Sequence, residues 1–156
     1  MKKVTVYTDG GASGNPGPGG YGVVLISGDH YKELSGAFRL TTNNRMELLA
    51  VIMALEALNA SGTDVTIYSD SKYVVDAVKK EWVFGWVKKN FKGKKNPDLW
   101  KRFLKIYEQH KVKFVWVKGH AGNEFNEVAD KLAVSAYADG ILPLEKDEAY
   151  EASKKD

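Results

Sequence analysis

The sequence predicts an α/β fold whose sheet mixes antiparallel and parallel strands. Three observations lead there. Near the start, Val4-Thr5-Val6-Tyr7-Thr8-Asp9 is nearly repeated by Val65-Thr66-Ile67-Tyr68-Ser69-Asp70. Both copies are β-branched and aromatic, and neither alternates cleanly between polar and apolar, as expected for strands covered on both faces. After the first copy, short turn-rich connections join further strand-like runs into an antiparallel meander. A long apolar helix then leads to the second copy, so strand, helix and strand make a right-handed crossover that sets the two copies parallel.

Taken in order, the first strand ends at Asp9 and a Gly- and Pro-rich turn, Gly10 to Gly22, follows. It is no phosphate-binding P-loop, because no Gly-Lys-Ser/Thr follows and no helix opens there. Its glycines either permit the turn or let a ligand approach the backbone. The second strand is expected over Tyr21 to Ser27. A hairpin turn at Gly28-Asp29-His30 leads into the third, Tyr31 to Leu40, with His30 solvated at the tip. Thr41 to Glu47 opens a helix running to about Asn59, apolar almost all round and therefore buried. The fourth strand is Val65 to Ser69, followed by a helix over Lys72 to Lys80 that Ser71 can cap. A helix over Asp98 to His110, a fifth strand from Lys113 to Val117 and a helix from Glu124 to Ala138 complete the core. Residues 1–140 are thus expected to form a single domain, and 141–156 a charged, partly disordered tail.

Composition narrows the functional classes. A chain of 156 residues suffices for one well-filled core. There are no cysteines, which excludes disulfides and thiolate metal sites and fits a reducing cytoplasm. No signal peptide opens the sequence and no apolar run approaches membrane-spanning length, so no membrane role is expected. The overall charge is +3, but Lys79 to Lys95 holds seven lysines and one glutamate, a net +6 that leaves −3 for the rest. Trp82, Phe84, Trp86 and Phe91 are interleaved with these lysines. Some of the aromatics must pack inward, yet exposed lysine beside aromatic surface is also how proteins grip nucleic acid.

The two Asp residues carry the chemistry. With a period of two, Thr5, Tyr7 and Asp9 share one face, as do Thr66, Tyr68 and Asp70. Sites in α/β sheets form beyond the carboxyl ends of parallel strands, so neighbouring strands would bring the two carboxylates together. Converging carboxylates require a cation or a shared proton. One strand ending in Asp-Gly would simply read as a turn, whereas a matched pair in phase points to a site. Glu47 lies on the inward stripe of its helix with Ala50, Val51 and Ala54, and could add a third acid. Equally, Asn44 with Glu47 three residues later reads as a capping arrangement at the helix start. Asp130 sits on the last core helix, one turn after Asn126, and His120 lies in the loop before it. Either alone would read as polar surface.

Together these positions form a pattern. Tyr-Thr-Asp-Gly with Gly-Asn-Pro-Gly-Pro-Gly-Gly-Tyr-Gly, Thr-Asn-Asn-Arg-Met-Glu-Leu, Ser-Asp-Ser-Lys-Tyr-Val, and Trp-Val-Lys-Gly-His-Ala-Gly-Asn with Asn-Glu and Ala-Asp follow one another in the order and spacing of a known family. The chain resembles the bacterial type 1 ribonucleases H over nearly its whole length. The resemblance implies a five-stranded mixed sheet flanked by helices, and hydrolysis of the RNA strand of RNA–DNA hybrids. It implies that Asp9, Glu47, Asp70 and Asp130 bind two Mg²⁺ ions when substrate is present, with Mn²⁺ as the other candidate, and that His120 is a mobile catalytic histidine. Thr42, Asn43, Asn44 and Arg45 fall where relatives hold the nucleic acid, and Asn15 and the backbone near Gly10 where relatives touch the RNA strand. Trp82, Trp86, Lys88, Lys89, Lys92 and Lys94 fall in the protrusion that grips the hybrid. Lys72 departs from the pattern, standing where many relatives carry Gln. No hybrid-binding module precedes Lys3, so processive binding is not implied.

The residue types suit such chemistry. Two Mg²⁺ ions can activate a water and stabilise the leaving 3′ oxygen, giving 5′-phosphate and 3′-hydroxyl ends, and Mg²⁺ takes hard oxygen ligands. In that scheme Asp9 bridges the ions, Glu47 and Asp70 serve the ion beside the water, Asp130 serves the other, and His120 assists proton transfer or product release. The expectation is a cytoplasmic monomer. Two other classes stay in view: a hybrid-binding module without catalysis, and an integrase or transposase core. The intact acid set speaks against the first. The His-Ala-Gly segment and the basic protrusion speak against the second.

Overall fold

The computed structural model describes residues 2–119, 123–140 and 142–154. Five strands form one sheet: β1 (Lys3–Ala12), β2 (Gly17–Ser27), β3 (His30–Thr41), β4 (Asp64–Ser69) and β5 (Lys111–Trp116). The helices are α1 (Asn43–Glu56), α2 (Lys72–Lys79), α3 (Trp82–Lys88), α4 (Pro97–Tyr107), α5 (Glu124–Ala138) and α6 (Glu148–Ser153). The strand order is β3-β2-β1-β4-β5. The first three strands pair antiparallel, while β1–β4 and β4–β5 pair parallel. The mixed five-stranded sheet anticipated above is therefore the architecture.

The repeated hexapeptides pair in register, Val4 opposite Val65 through Tyr7 opposite Tyr68. There the β1–β4 ladder stops. β1 nevertheless continues past Asp9 to Ala12, paired only with β2. The strand does not end at Asp9 as its sequence suggested. Gly10 pairs with Tyr21, Gly11 with Gly20 and Ala12 with Gly19, so most of the Gly- and Pro-rich stretch is strand. Past Tyr7, β1 has lost its parallel neighbour, and a cleft opens beside Asp9.

Helices cover both faces. Asp9 is opposite Gly22 and Gly10 opposite Tyr21, and paired residues of an antiparallel ladder share a face. A side chain at Gly22 would overlap the carbonyl oxygen of Ala129 in α5, and one at Gly10 would overlap the Met46 carbonyl in α1. Asp9 thus lies on the α5 side of the sheet, and Gly10 admits α1 on the other. These glycines serve close helix–sheet packing. On the α1 side, Met46, Leu48, Ile52 and Leu55 pack with Val6, Ile67, Trp100 and Phe103, all fully buried. Among the described residues no helix is long and apolar enough to cross a membrane.

Two local expectations need correction. Thr42, not Asn44, caps α1, its hydroxyl accepting from Arg45 N at 3.2 Å. Asn44 lies inside the helix, so Glu47 has no capping task. Nor are residues 142–154 a disordered tail. Glu145 hydrogen-bonds to Ala37 and Arg39 of β3, α6 follows, and Asp147 and Tyr150 are buried. Two of the acids that made this segment look solvated are spent on ion pairs with the body: Asp147 with Arg45, and Glu151 with Arg39.

Gly22→Ala would force α5 away from β2. Overpacking of this kind costs about 1–3 kcal/mol. The melting temperature should fall by about 2–4 °C per kcal/mol lost. A calorimetric melt indistinguishable from wild type would show that α5 is not seated by this contact.

Candidate active site

Asp9 comes from the unpaired end of β1, Asp70 from the residue after β4, Glu47 from the second turn of α1 and Asp130 from the middle of α5. The parallel register delivers the first two, and the Gly10 contact brings the backbone of Met46 and Glu47 against β1. One carboxylate oxygen from each of Asp9, Glu47 and Asp70 lies within 4.8 Å of the others. Asp130 lies beside Asp9 and helps to raise it. A cleft of about 280 Å³ opens onto Asp9, Asp70 and Asp130, with Lys118, Asn123 and Asn126 along its wall.

Neighbouring elements fix these positions. Asn123 caps α5, accepting from Phe125 N and Asn126 N, and so sets the phase in which Asp130 faces the cleft. Trp116 donates its indole N–H to the Asp70 carbonyl at 3.2 Å. Ser71 caps α2 directly after Asp70. Gly10 N donates to the Asp9 carboxylate at 2.9 Å. Tyr7 stacks on Tyr68 at 4.9 Å between ring centroids, holding the two strands together one turn of the pleat below the acids.

The electrostatics are those of acids gathered against one another. Glu47 Oε1 and Asp70 Oδ1 are buried with no donor. Carboxylates are acceptors only, so they cannot satisfy one another unless one is protonated. Burial, followed by Asp130 and Asp70, pushes Asp9 up to about 8, against the pull of the Gly10 N–H. Burial, followed by Asp9 and Asp70, raises Glu47 well above the ordinary carboxylate range. A hard divalent cation fits this donor set, since Mg²⁺ and Mn²⁺ both accept carboxylate oxygen.

The RNase H family model matches residues 1–138. The chain belongs to the ribonuclease H family. It is 55% identical over 155 residues to the ribonuclease H of Rippkaea orientalis, covering 96% of this chain and 93% of that one. It is 54% identical to the ribonuclease H of Desulforamulus reducens, covering 93% and 94%. Among solved structures, LC9-RNase H1, a type 1 RNase H with the type 2 active-site motif, superposes with a TM-score of 0.81 at 30% identity, covering 99% of this chain and 82% of that one. LC11-RNase H1, solved with an RNA/DNA hybrid, superposes with a TM-score of 0.64 at 30% identity, covering 86% and 96%. The fold is that of ribonuclease H, and the chain is a nuclease.

Against this frame the anticipated residues of the ribonuclease H chain sort into groups. Asp9, Glu47 and Asp70 form one cluster, and Asp130 shares the cleft with Asp9 and Asp70. His120 lies outside the described residues. Asn15 and Asn43 brace the loop between β1 and β2 against α1: Asn43 Oδ1 accepts from Ala12 N at 2.6 Å and Asn15 Oδ1 from Asn43 N at 3.0 Å. Arg45 departs from expectation. Its side chain is 4% exposed and ion-paired with Asp98 and Asp147, so its guanidinium is not offered to nucleic acid. Lys72 is exposed, its ammonium 4.7 Å from the centre of the Trp116 ring. Lys88, Lys89, Lys92 and Lys94 are all exposed. Trp82 is 48% exposed, whereas Trp86 packs edge-on against Trp100 with Lys94 over its ring. Thr8, Lys118, Asn123 and Asn126 line the cleft but were not singled out beforehand. Asn126 had a legible signal, standing one helical turn before Asp130 on the same face.

The raised Asp9 and Glu47 have a consequence for the metal-free protein. An unfolded Asp loses its proton near pH ~4. In the folded protein Asp9 keeps it to about 8. Between those values the native state binds more protons than the unfolded state, so stability falls as pH rises through the window. Asp70→Asn removes one repelling charge and should flatten this decline. Above pH 8 in chelator it should raise stability by about 1 kcal/mol. Added Mg²⁺ should narrow the gap by binding wild type better. Thermal melts of both proteins across pH, with chelator and with Mg²⁺, check this. A lower melting temperature for Asp70→Asn in chelator would mean that hydrogen bonds to Asp70 outweigh the repulsion.

Proposed function

We propose that this nuclease hydrolyses the RNA strand of RNA–DNA hybrids by a two-metal-ion mechanism, leaving 5′-phosphate and 3′-hydroxyl ends. The observation that carries the reading is the cluster of Asp9, Glu47 and Asp70 beside the cleft, in which Glu47 Oε1 and Asp70 Oδ1 are buried without a donor. Such a cluster is costly to a protein that only binds a polyanion, because it repels phosphate unless cations intervene. Divalent ions held there, Mg²⁺ or Mn²⁺, would supply Lewis acidity toward a water and the leaving oxygen. Asp9 adjoins Glu47 and Asp70 on one side and Asp130 on the other, which suits it to be the shared ligand. Glu47 and Asp70 would then help to hold one ion and Asp130 the second. His120 assists proton transfer or product release.

Substrate holding falls to neighbouring groups. Asn15 and Asn43 spend their carbonyl oxygens on the backbone, which orients their amide N–H groups as donors. Donors beside the acid cluster suit a ribose 2′-hydroxyl, the group that distinguishes RNA from DNA. Thr42, Asn44 and the backbone at Gly10 stand next to them. Lys72 over Trp116 and the exposed lysines of the α3 projection offer phosphate contacts further out. That LC11-RNase H1, at 30% identity, is solved with an RNA/DNA hybrid supports this substrate class.

End-labelled RNA–DNA hybrid, RNA duplex and DNA duplex, each with Mg²⁺ or with chelator, test the reading. Cleavage confined to the RNA of the hybrid, in Mg²⁺ alone, is the expected result. Equal cleavage of the DNA duplex would sink it, and binding without cleavage would leave a hybrid-binding module. Changing Lys88, Lys89, Lys92 and Lys94 to Ala should raise KM with little loss of kcat. The slope of log affinity against log salt should fall by up to ~0.9 per phosphate contact removed. An unchanged KM and slope would leave these lysines as solvated surface.

A further inference from the structure

Arg45 sits between three parts of the chain. Its Nε and Nη2 donate to Asp147, at 2.8 and 2.9 Å. Nη1 and Nη2 donate to Asp98 at 2.9 and 2.8 Å, and Nη1 also donates to Asn96. All three guanidinium nitrogens are engaged and the side chain is 4% exposed. Arg45 belongs to the first turn of α1, beside Thr42 to Asn44 and two residues before Glu47. Asn96 and Asp98 stand where the basic projection rejoins the body. Asp147 belongs to the C-terminal segment.

That segment is fastened independently. Asp147 accepts from the buried Thr41 hydroxyl at 2.7 Å, directly before the loop that caps α1. Glu151 takes a bidentate pair from Arg39, and the ring of buried Tyr150 lies 5.7 Å from the Arg45 guanidinium carbon. It also faces the right place. Asn15, Thr42 and Asn44 on one side, Lys94 and Lys95 on another and Lys154 on a third wall a cleft of about 610 Å³.

We propose that residues 142–154 are a positioning element for substrate binding. Through Asp147 and Arg45 they hold the N-terminus of α1 and the base of the basic projection at the separation at which both engage one hybrid. The inference deepens the hybrid-nuclease reading and rests on it. A purely stabilising segment would change the fraction of folded protein and leave the affinity of the folded fraction alone.

The sign of the effect makes the test sharp. Asp147→Asn and Glu151→Gln each remove a negative charge, and plain electrostatics would tighten binding of a polyanion. Loss of positioning weakens it. The measurement is fluorescence anisotropy of a labelled RNA–DNA hybrid in chelator, where no cleavage intervenes, on full-length proteins whose folded fraction is set by circular dichroism. Asp147→Asn should raise Kd about fivefold and Glu151→Gln about twofold, the scale of coupling between connected sites. Asp147→Glu should recover part of the loss. An unchanged or lower Kd in Glu151→Gln overturns the proposal even if Asp147→Asn does not fold, because Glu151 is the segment's other fastening to the body and its loss loosens the segment that carries Asp147 while leaving only the half-exposed Arg39 unpaired. Cleavage of the same hybrid by wild type with Mg²⁺ is run alongside. If wild type cleaves and the variants bind as tightly as it does, only the positioning proposal fails. If wild type does not cleave, the functional reading fails.

Discussion

The parallel pairing of β1 with β4 is the constraint on which the site depends. Placing Tyr7 opposite Tyr68 puts Asp9 and Asp70 in phase just beyond the ladder. A slip of one residue would turn one of the two carboxylates to the other face. The register is held where it matters least for chemistry and most for geometry, by buried Val4, Val6, Val65 and Ile67 below and by the stacked tyrosines above. Because β1 carries on with β2 after β4 has stopped, Asp9 stays on a rigid strand while its flank is open. The acids are therefore presented on fixed backbone beside a cleft, the arrangement that prepares ligands before a cation arrives.

Such preparation has a cost that the fold meets elsewhere. Half-buried carboxylates facing one another repel, and the raised Asp9 and Glu47 register that tension. Apolar burial along α1 and a second buried charge system counter it. In that second system opposite charges meet: Arg45 with Asp98 and Asp147. Breaking such a buried pair by removing one partner typically costs ~3–5 kcal/mol, because a charge is left uncompensated. The same first turns of α1 therefore hold a satisfied cation at Arg45 and an unsatisfied anion at Glu47.

How much of this was legible follows from the physics of each signal. The sheet was legible because hexapeptide repetition and β-branching are local. The acids were legible because two of them share a phase that period-two geometry makes plain. The role of Gly10 and Gly22 was not: a glycine that admits a helix looks in sequence like one that makes a turn. Arg45 was misread for a similar reason. An arginine beside a run of polar loop residues looks available until Asp98 and Asp147, remote in sequence, are seen to enclose it. The C-terminal segment was misread because charged residues look solvated when their partners lie about a hundred residues away. Thr42 and Asn44 are both good caps, and only the backbone at Thr42, extended at φ −128°, decides between them.

The sequence distances around Arg45 also bear on how the molecule comes into being. Asp98 follows it by 53 positions and Asp147 by 102. On a ribosome the guanidinium is made early, and its second carboxylate arrives only after the sheet and α5 have been synthesised. Contacts so remote in sequence close late and slowly. Until residue 147 emerges, the helix that carries Glu47 begins with a buried cation only partly neutralised. A chain ending between residues 131 and 146 would carry all four acids without the second carboxylate that pairs with Arg45.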